Sequence, residues 1–328
     1  MSTKEMVLTT LENAEGDYVS GEKLADMLGV SRNAVWKAVN SLKESGFNIE
    51  AVSNNGYRLI PQTSSVYEQR IRKYLTAAEL GRKIICFRET DSTNNYAKKI
   101  AHENAEHGTA VISEIQTAGK GRMGRTFVSP SNTGIYISII LKNSLNAETA
   151  QLITSCAAVS VCQAIDKVCG TDTQIKWVND IFLNGKKICG ILTEASMSFE
   201  TGTLDYAVIG IGINVFSVKN TFSDELLKIA SSIEDECGVK TDRSQLCAEI
   251  LNFLEENLKS LENRNFISEY KKRSCITGNY VMVTKGCSER QAFAFDIDDN
   301  ACLKVRYDDG SEEALNSGEA RIIPAVLN

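Results

Sequence analysis

The chain has 328 residues and a formal charge of −6, with 43% apolar and 24% charged side chains and only 3 prolines. That balance excludes a disordered, collagen-like or Pro-rich linker protein and leaves room for more than one domain. A polyanion would have to be met by a local basic patch, because the net field opposes it.

The N-terminus lacks the basic-then-apolar design of a signal peptide. The longest apolar stretch, Leu152 to Ile165, is interrupted by Thr154, Ser155, Ser160 and Gln163 and is too short to span a bilayer. A soluble, cytoplasmic protein with no membrane partner is expected. The ten cysteines form no Cys-x-x-Cys, and the chain has only His102 and His107. Reduced, mostly buried thiols are expected, with no Cys/His zinc site.

Near the N-terminus, Ser20 is placed to cap a helix carrying Leu24 and Leu28, with Gly29 as its stop. Ser31 then caps a second helix on which Val35, Val39 and Leu42 form one apolar stripe. The opposite face carries Asn33, Lys37 and Asn40, flanked by Arg32, Trp36 and Lys43. Strand-like runs at Phe47–Val52 and Tyr57–Ile60 are hinged at Asn55-Gly56, a two-residue hairpin signal. Helix, tight turn, helix and hairpin predict a winged helix-turn-helix. Arg32, Asn33, Trp36, Lys37 and Asn40 are its candidate DNA-binding residues, cations for phosphates and amides for base edges. The segment holds six Lys and Arg against eight Asp and Glu up to Ile60. A plain helical packing module therefore stays open as the alternative. The segment, 1–62, ends at the polar connector Pro61 to Ser65.

Residues 66–273 mix both periodicities. Strands are expected at Ile84–Phe87, Ala110–Ile112, Ile135–Leu141, Ile175–Val178, Ile181–Leu183, Ile188–Leu192 and Ala207–Ile213, with a hairpin at Asn184-Gly185. Helices are expected at Asn94–His102, behind Asp91-Ser92, and at Ala147–Cys169, apolar on most faces and so buried. This is an α+β domain with a mixed sheet. Residues 274–328 are strand-rich and predict a small β-barrel.

The sharpest local feature is Gly119-Lys120-Gly121-Arg122-Met123-Gly124-Arg125, three glycines with three cations. Such a loop repels itself unless an anion is met. It matches G-x-G-x-x-G, yet Phe127-Val128-Ser129-Pro130 starts no helix and Lys142 to Leu145 contains no acid, so a dinucleotide fold is excluded on context. Walker A and kinase signatures are absent. A second cluster is Lys176-Trp177-Val178-Asn179-Asp180, followed by Lys187. A lysine within an apolar run is costly to bury unless it faces a ligand or pairs with an acid, here Asp180. Asp91-Ser92-Thr93-Asn94 reads either as a helix cap or as a donor of hydroxyl and N–H groups to a small ligand. Asn214, closing Gly210-Ile211-Gly212-Ile213-Asn214, is ambiguous in the same way.

Taken together with Gln116-Thr117-Ala118, Lys187 and Gly190, these blocks resemble the bifunctional biotin–protein ligases that also serve as biotin operon repressors, over essentially the whole chain. The resemblance implies a ligase domain of the biotin/lipoyl type at 66–273 and an SH3-like barrel at 274–328. It implies that biotin and ATP form biotinyl-5′-adenylate, with Mg²⁺ on the phosphates, and that the biotinyl group passes to a lysine of a carboxylase's biotin carboxyl carrier domain. Ser92, Thr93, Asn94, Gln116, Lys120, Gly121, Arg122, Lys187 and Gly190 would bind biotin. Gly119, Arg122, Arg125, Phe127, Lys176, Asn179 and Asn214 would bind ATP or the adenylate. Lys187, Arg122, Lys176 and Asp180 would be catalytic, Asp180 also touching the metal. The adenylate-bound form would be a homodimer on operator DNA. The chain departs from the family where Lys120 and Met123 replace common arginines and Phe127 a common tryptophan. Lysine keeps the charge but loses the bidentate fork, so these changes bear on affinity. The competing readings are a lipoate ligase-like acyltransferase, a biotin sensor with little catalysis, and a ligase whose winged helix has lost DNA.

Overall fold

The computed structural model describes residues 2–45, 47–60, 65–142, 147–197, 204–285 and 288–323. The chain folds into two compact units, Met1–Tyr74 and Leu75–Asn328.

In the first unit, α1 (Thr3–Asn13) starts at a capping box between Ser2 and Glu5. α2 (Gly21–Leu28) and α3 (Arg32–Glu44) start at Ser20 and Ser31, whose hydroxyls accept the N–H groups of Lys23 and Ala34. Gly29, with φ at +64°, turns the chain between them. Val35, Val39 and Leu42 of α3 pack with Val7, Leu11 and Leu24 into one core. The hairpin β1 (Ile49–Val52) and β2 (Gly56–Leu59) pairs Val52 with Gly56. Its turn is therefore Ser53–Asn55, with Asn54 left-handed, and not the expected two-residue Asn55-Gly56 turn. Gly56 serves a different need: a Cβ there would lie 2.2 Å from the Val19 carbonyl, against which Tyr57 bridges. α4 (Glu68–Tyr74) packs on α1 through the buried pair Arg70–Glu12 at 3.2 Å, and Tyr67 also donates to Glu12. The unit thus runs past the connector expected to end it; Pro61–Ser64 lie outside the described residues.

In the second unit, β3 (Ile84–Thr90), α5 (Thr93–His102), β4 (Ala110–Gln116) and β5 (Gly134–Leu141) lead into α6 (Ala147–Cys169). Then come β6 (Gln174–Lys176), β7 (Asp180–Leu183), β8 (Lys186–Met197) and β9 (Leu204–Asn214). The mixed sheet has the order β3-β4-β5-β9-β8-β7-β6, parallel only between β3 and β4. Alternation puts Ile140 and Val208 under α5, while the neighbouring positions face α6, where Thr154 bonds Thr193 at 2.8 Å. α6 is the one described helix long and apolar enough to cross a membrane; most of it is buried in this core. The short helices α7 (Asp224–Leu227) and α8 (Ile233–Cys237) precede α9 (Arg243–Lys259), which packs along α6, and α10 (Ile267–Lys272). No element is expected from the sequence between 215 and 273.

β10 (Asn279–Lys285), β11 (Ser288–Ile297), β12 (Leu303–Tyr307), β13 (Glu312–Leu315) and β14 (Glu319–Ile322) make an antiparallel sheet in the order β13-β12-β11-β10-β14, the SH3-like barrel. Trp177 donates its indole N–H to Ala301 at 2.9 Å, tying this barrel to the mixed-sheet domain.

Glu255 of α9 accepts the N–H groups of Ala78, Glu79 and Leu80 at 2.8–3.0 Å and pairs with Lys259. Burial alone would raise its carboxyl, but Lys259 and the three N–H donors outweigh it and hold it at about 2 against an ordinary 4.5. A depressed carboxyl stabilises fully above the unfolded value and loses that contribution as pH falls towards the folded one. Glu255→Gln should cost about 2 kcal/mol at pH 7, and urea unfolding should show the cost shrinking below pH 4.5.

Candidate functional site

The site begins with missing side chains. Gly190 of β8 and Gly210 and Gly212 of β9 lie on the α5 face of the sheet, with Gly190 opposite Gly212 and Leu192 opposite Gly210. A Cβ on Gly212 would stand 2.6 Å from the Phe127 ring, and one on Gly210 2.2 Å from Asn94 Oδ1. The bare backbone lets Phe127, from the glycine-rich loop, and Asn94, from the start of α5, lie flat on the sheet. Tyr136 of β5 meets Phe127 edge-on at 6.2 Å, and burial raises its phenol. Above this floor is a cavity of about 520 Å³, within the size range of small-ligand sites.

One end of the cavity is a row of neutral polar groups. Ser92 caps α5. Thr93 donates its N–H and hydroxyl to Gln116 Oε1 at 2.9 and 3.1 Å, and Gln116 donates onward to Ser129 at 3.1 Å. The fully buried Ser138 reaches Thr93 Oγ1 at 2.8 Å and Asn94 Oδ1 at 2.5 Å. The row can recognise a neutral group that both donates and accepts.

The lining is also cationic. In a chain of charge −6 the cavity is lined by six cations, Lys120, Arg122, Arg125, Lys176, Lys187 and Arg321, against two carboxylates, Asp180 and Glu319. Lys187 pairs with Asp180 at 2.8 Å. Lys176, for which a ligand or Asp180 stood as alternative partners, lies 5.7 Å above the Phe182 ring, while Asp180 is paired with Lys187 of the facing strand. Arg122 donates to Asn179 Oδ1 at 2.9 Å and to the Gly318 carbonyl at 3.3 Å. Lys120 donates to Asn95 Oδ1 at 2.8 Å, and Arg125 pairs with Glu319 at 2.6 Å. Loop 119–125 contains one short 3₁₀ turn, Arg122–Gly124, and no helix follows it. Asn214 donates to the Ser231 carbonyl at 2.9 Å, while its buried Oδ1 has no partner among the described residues.

Every residue proposed from the sequence for biotin, nucleotide or catalysis lines this cavity except Gly119. Gly119 shapes the loop: its carbonyl accepts Phe127 N–H at 2.9 Å, and a Cβ there would lie 2.4 Å from Phe127 O. Sequence reasoning missed Ser138 and Glu194, which hydrogen-bond Thr93 and Asn94, Tyr136 behind Phe127, and Phe222, Leu226 and Ile229, which add apolar residues to the cavity lining. Among the described residues no three His, Cys, Asp or Glu gather as a metal cluster.

In the first unit, Arg32, Asn33, Trp36 and Lys37 are exposed on α3 and Asn40 is half-exposed. Trp36 is 54% exposed, an unusual position for an indole unless a partner covers it. Arg32 is engaged by Glu22 at 2.5 Å.

Residues 86–214 match the biotin/lipoate A/B protein ligase family, and residues 3–58 match an HTH domain family. The chain is 38% identical over 260 residues to a bifunctional ligase/repressor, BirA, of Bacillus subtilis, covering 79% of each chain. It is 27% identical over 315 residues to the BirA of Escherichia coli K12, covering 93% of this chain and 95% of that one. The fold is shared with the biotin protein ligase of Aquifex aeolicus solved with biotin and ATP, at a TM-score of 0.62 and 24% identity, over 74% of this chain and 99% of that one.

Gly212→Val should force Phe127 off the sheet. Overpacking of this kind costs about 1–3 kcal/mol, so trypsin should cut the loop after Lys120, Arg122 or Arg125 about tenfold faster or more, measured by mass spectrometry of the intact fragments.

Proposed function

The chain belongs to the family of bifunctional biotin protein ligases and repressors, and from that premise we propose how its own residues carry out the ligation and the repression. The protein is an enzyme that ligates biotin to a carboxyl carrier protein, and its helix-turn-helix unit serves a repressor. The observation that carries the assignment is a single cavity over a glycine floor, lined both by a neutral donor–acceptor row and by six cations.

In the first step a biotin carboxylate oxygen attacks the α-phosphorus of ATP, and the bond to the β-phosphate oxygen breaks to release pyrophosphate. Both reactants are anions, so alignment and charge neutralisation dominate the barrier. Lys187 and Arg122 meet the carboxylate and α-phosphate oxygens; Arg125 and Lys176 serve the phosphates. Ser92, Thr93, Asn94 and Gln116 hold the ureido ring, with Lys120, Gly121 and Gly190 closing around biotin. Phe127 covers the ligand, and Asn179 and the open acceptor Asn214 Oδ1 face the nucleotide. Asp180, already paired with Lys187, does not by itself form a metal cage, and among the described residues no three His, Cys, Asp or Glu gather around a metal position. Mg²⁺ would arrive with ATP as part of the substrate, with Asp180 beside it. In the second step the carrier lysine's amine attacks the acyl carbon, the bond to AMP breaks, and Asp180 takes the amine's proton. We place the reaction in the cytoplasm. Repression involves a homodimer favoured by the bound adenylate, which operates only through a differential affinity for that dimer.

Incubation with ATP, Mg²⁺, biotin and an apo carrier domain should add one biotinyl mass by intact-mass analysis. A parallel lipoate reaction should add none; a lipoyl gain instead would make the protein a lipoate ligase. Asp180→Asn should still exchange pyrophosphate into ATP but transfer about 100-fold more slowly, in the usual range for loss of general-base help.

For the DNA face, Lys37→Ala should lower the salt dependence of log K by about 1 on both a biotin-gene promoter duplex and a random duplex, as for a phosphate contact. Equal slopes in wild type and variant would remove Lys37 from the interface.

A further inference from the structure

Beneath the polar row lies an ion pair that the reaction does not use. Glu194 of β8 accepts from Asn94 Nδ2 at 2.8 Å through one oxygen and from Lys98 Nζ at 2.6 Å through the other. Lys98 sits one turn beyond Asn94 on α5, so the helix that presents Asn94 also carries the cation that anchors its partner. Burial would raise the Glu194 carboxyl, but Lys98 and Asn94 outweigh it and hold it below the ordinary range.

An ionised carboxylate can only accept hydrogen bonds. The Leu192 carbonyl, 3.4 Å from the same Asn94 nitrogen, is an acceptor as well. Two acceptors on one side fix which way the Asn94 amide points, and Oδ1 is left facing Ser138 at 2.5 Å. Ser138 has one proton, and Asn94 Oδ1 is its nearest acceptor. Thr93 in turn gives its hydroxyl proton to Gln116 Oε1, and Gln116 turns its amide nitrogen to Ser129. Glu194 thus sets the Asn94 amide and, through it, the Ser138 proton, while the Thr93 backbone N–H, 2.9 Å from Gln116 Oε1, separately fixes the Gln116 amide and the Thr93 hydroxyl. The Thr93 hydroxyl oxygen keeps a lone pair for an N–H donor in the cavity.

We propose that Glu194, held by Lys98, is a positioning residue that sets the hydrogen-bond polarity of Asn94 in the biotin-facing row. It acts through the Asn94 amide, which in turn orients Ser138, and suits that side of the row to the ureido group, whose two N–H groups donate and whose carbonyl accepts. The proposal rests on the biotin reading above.

Glu194→Gln preserves shape but offers an NH₂ group, which lets Asn94 flip and removes the ordering. In the full-length protein, the KM for biotin in biotin-dependent pyrophosphate exchange should rise about 10- to 100-fold, the range for a mispaired buried polar group. The KM for ATP and the thermal midpoint without ligands should not change. Lys98→Gln leaves the carboxylate as acceptor and should raise the biotin KM by a smaller factor. An unchanged biotin KM in Glu194→Gln would overturn the proposal. So would a parallel rise in both KM values with a lowered midpoint, the mark of a merely structural contact. The wild-type arm reports separately on the biotin reading: no biotin-dependent exchange there would remove that reading, and this proposal with it.

Discussion

Everything in the site depends on a patch of sheet that carries no side chains. Gly190, Gly210 and Gly212 leave the α5 face of β8 and β9 as bare backbone, and at Gly210 and Gly212 a Cβ would stand only 2.2 and 2.6 Å from its neighbour. In a sheet whose central strands are mostly buried and rich in isoleucine and valine, a glycine costs stability through its freedom in the unfolded chain. The return is geometric. Asn94 comes down onto the sheet far enough to reach Ser138 and Glu194. Phe127 comes down far enough to seat the glycine-rich loop against the same surface, its ring edge-on to Tyr136. The floor therefore seats both the polar row and the glycine-rich loop.

The electrostatics follow the same division of labour. The acidic chain concentrates six cations around one cavity, and five of them are held by partners within the chain. Lys187 has the half-buried Asp180, Arg122 an amide and a carbonyl, and Lys176 an aromatic face. The buried thiols take no part: Cys189 lines the cavity, but burial pushes its thiol well up, which leaves it an inert apolar contact.

The winged helix and the sheet strands were legible because their signals are local: caps at Ser20 and Ser31, an apolar stripe on α3, and alternating or continuous apolar runs. The site motifs were legible as blocks, and the cavity unites them. Other features were present in the letters and passed over. Ser2 and Glu5 spell the capping box of α1. Leu246, Ile250 and Leu254 behind Asp242 spell the buried stripe of α9. Gly210 and Gly212, at period two within a strand, announce a bare face once the strand is recognised. The hairpin turn was misplaced for a physical reason: the glycine answers a close backbone approach from Val19, a long-range contact that no dipeptide rule contains. Pairing choices were equally hidden. Whether Asp180 goes to Lys176 or Lys187 depends on the β7–β8 register, which is set across the hairpin and its bulge.

The departures of the loop at Lys120, Met123 and Phe127 gain a meaning from the tethers. Met123 is exposed and adopts a left-handed backbone at φ +54°, so it contributes a turn and no grip on the cavity. Lys120 is held by the neutral amide oxygen of Asn95, and exchanging that oxygen for an anionic one turns an ion–dipole hydrogen bond into one between opposite charges. Arg125 must leave Glu319, but that pair is exposed, and exposed pairs contribute only about 0–1 kcal/mol. Closing the loop on an anion therefore costs little in broken contacts. A lysine at position 120 grips through a single point where an arginine would use a fork, so more of the retention falls to Arg122 and to Phe127, which stays anchored by the glycine floor.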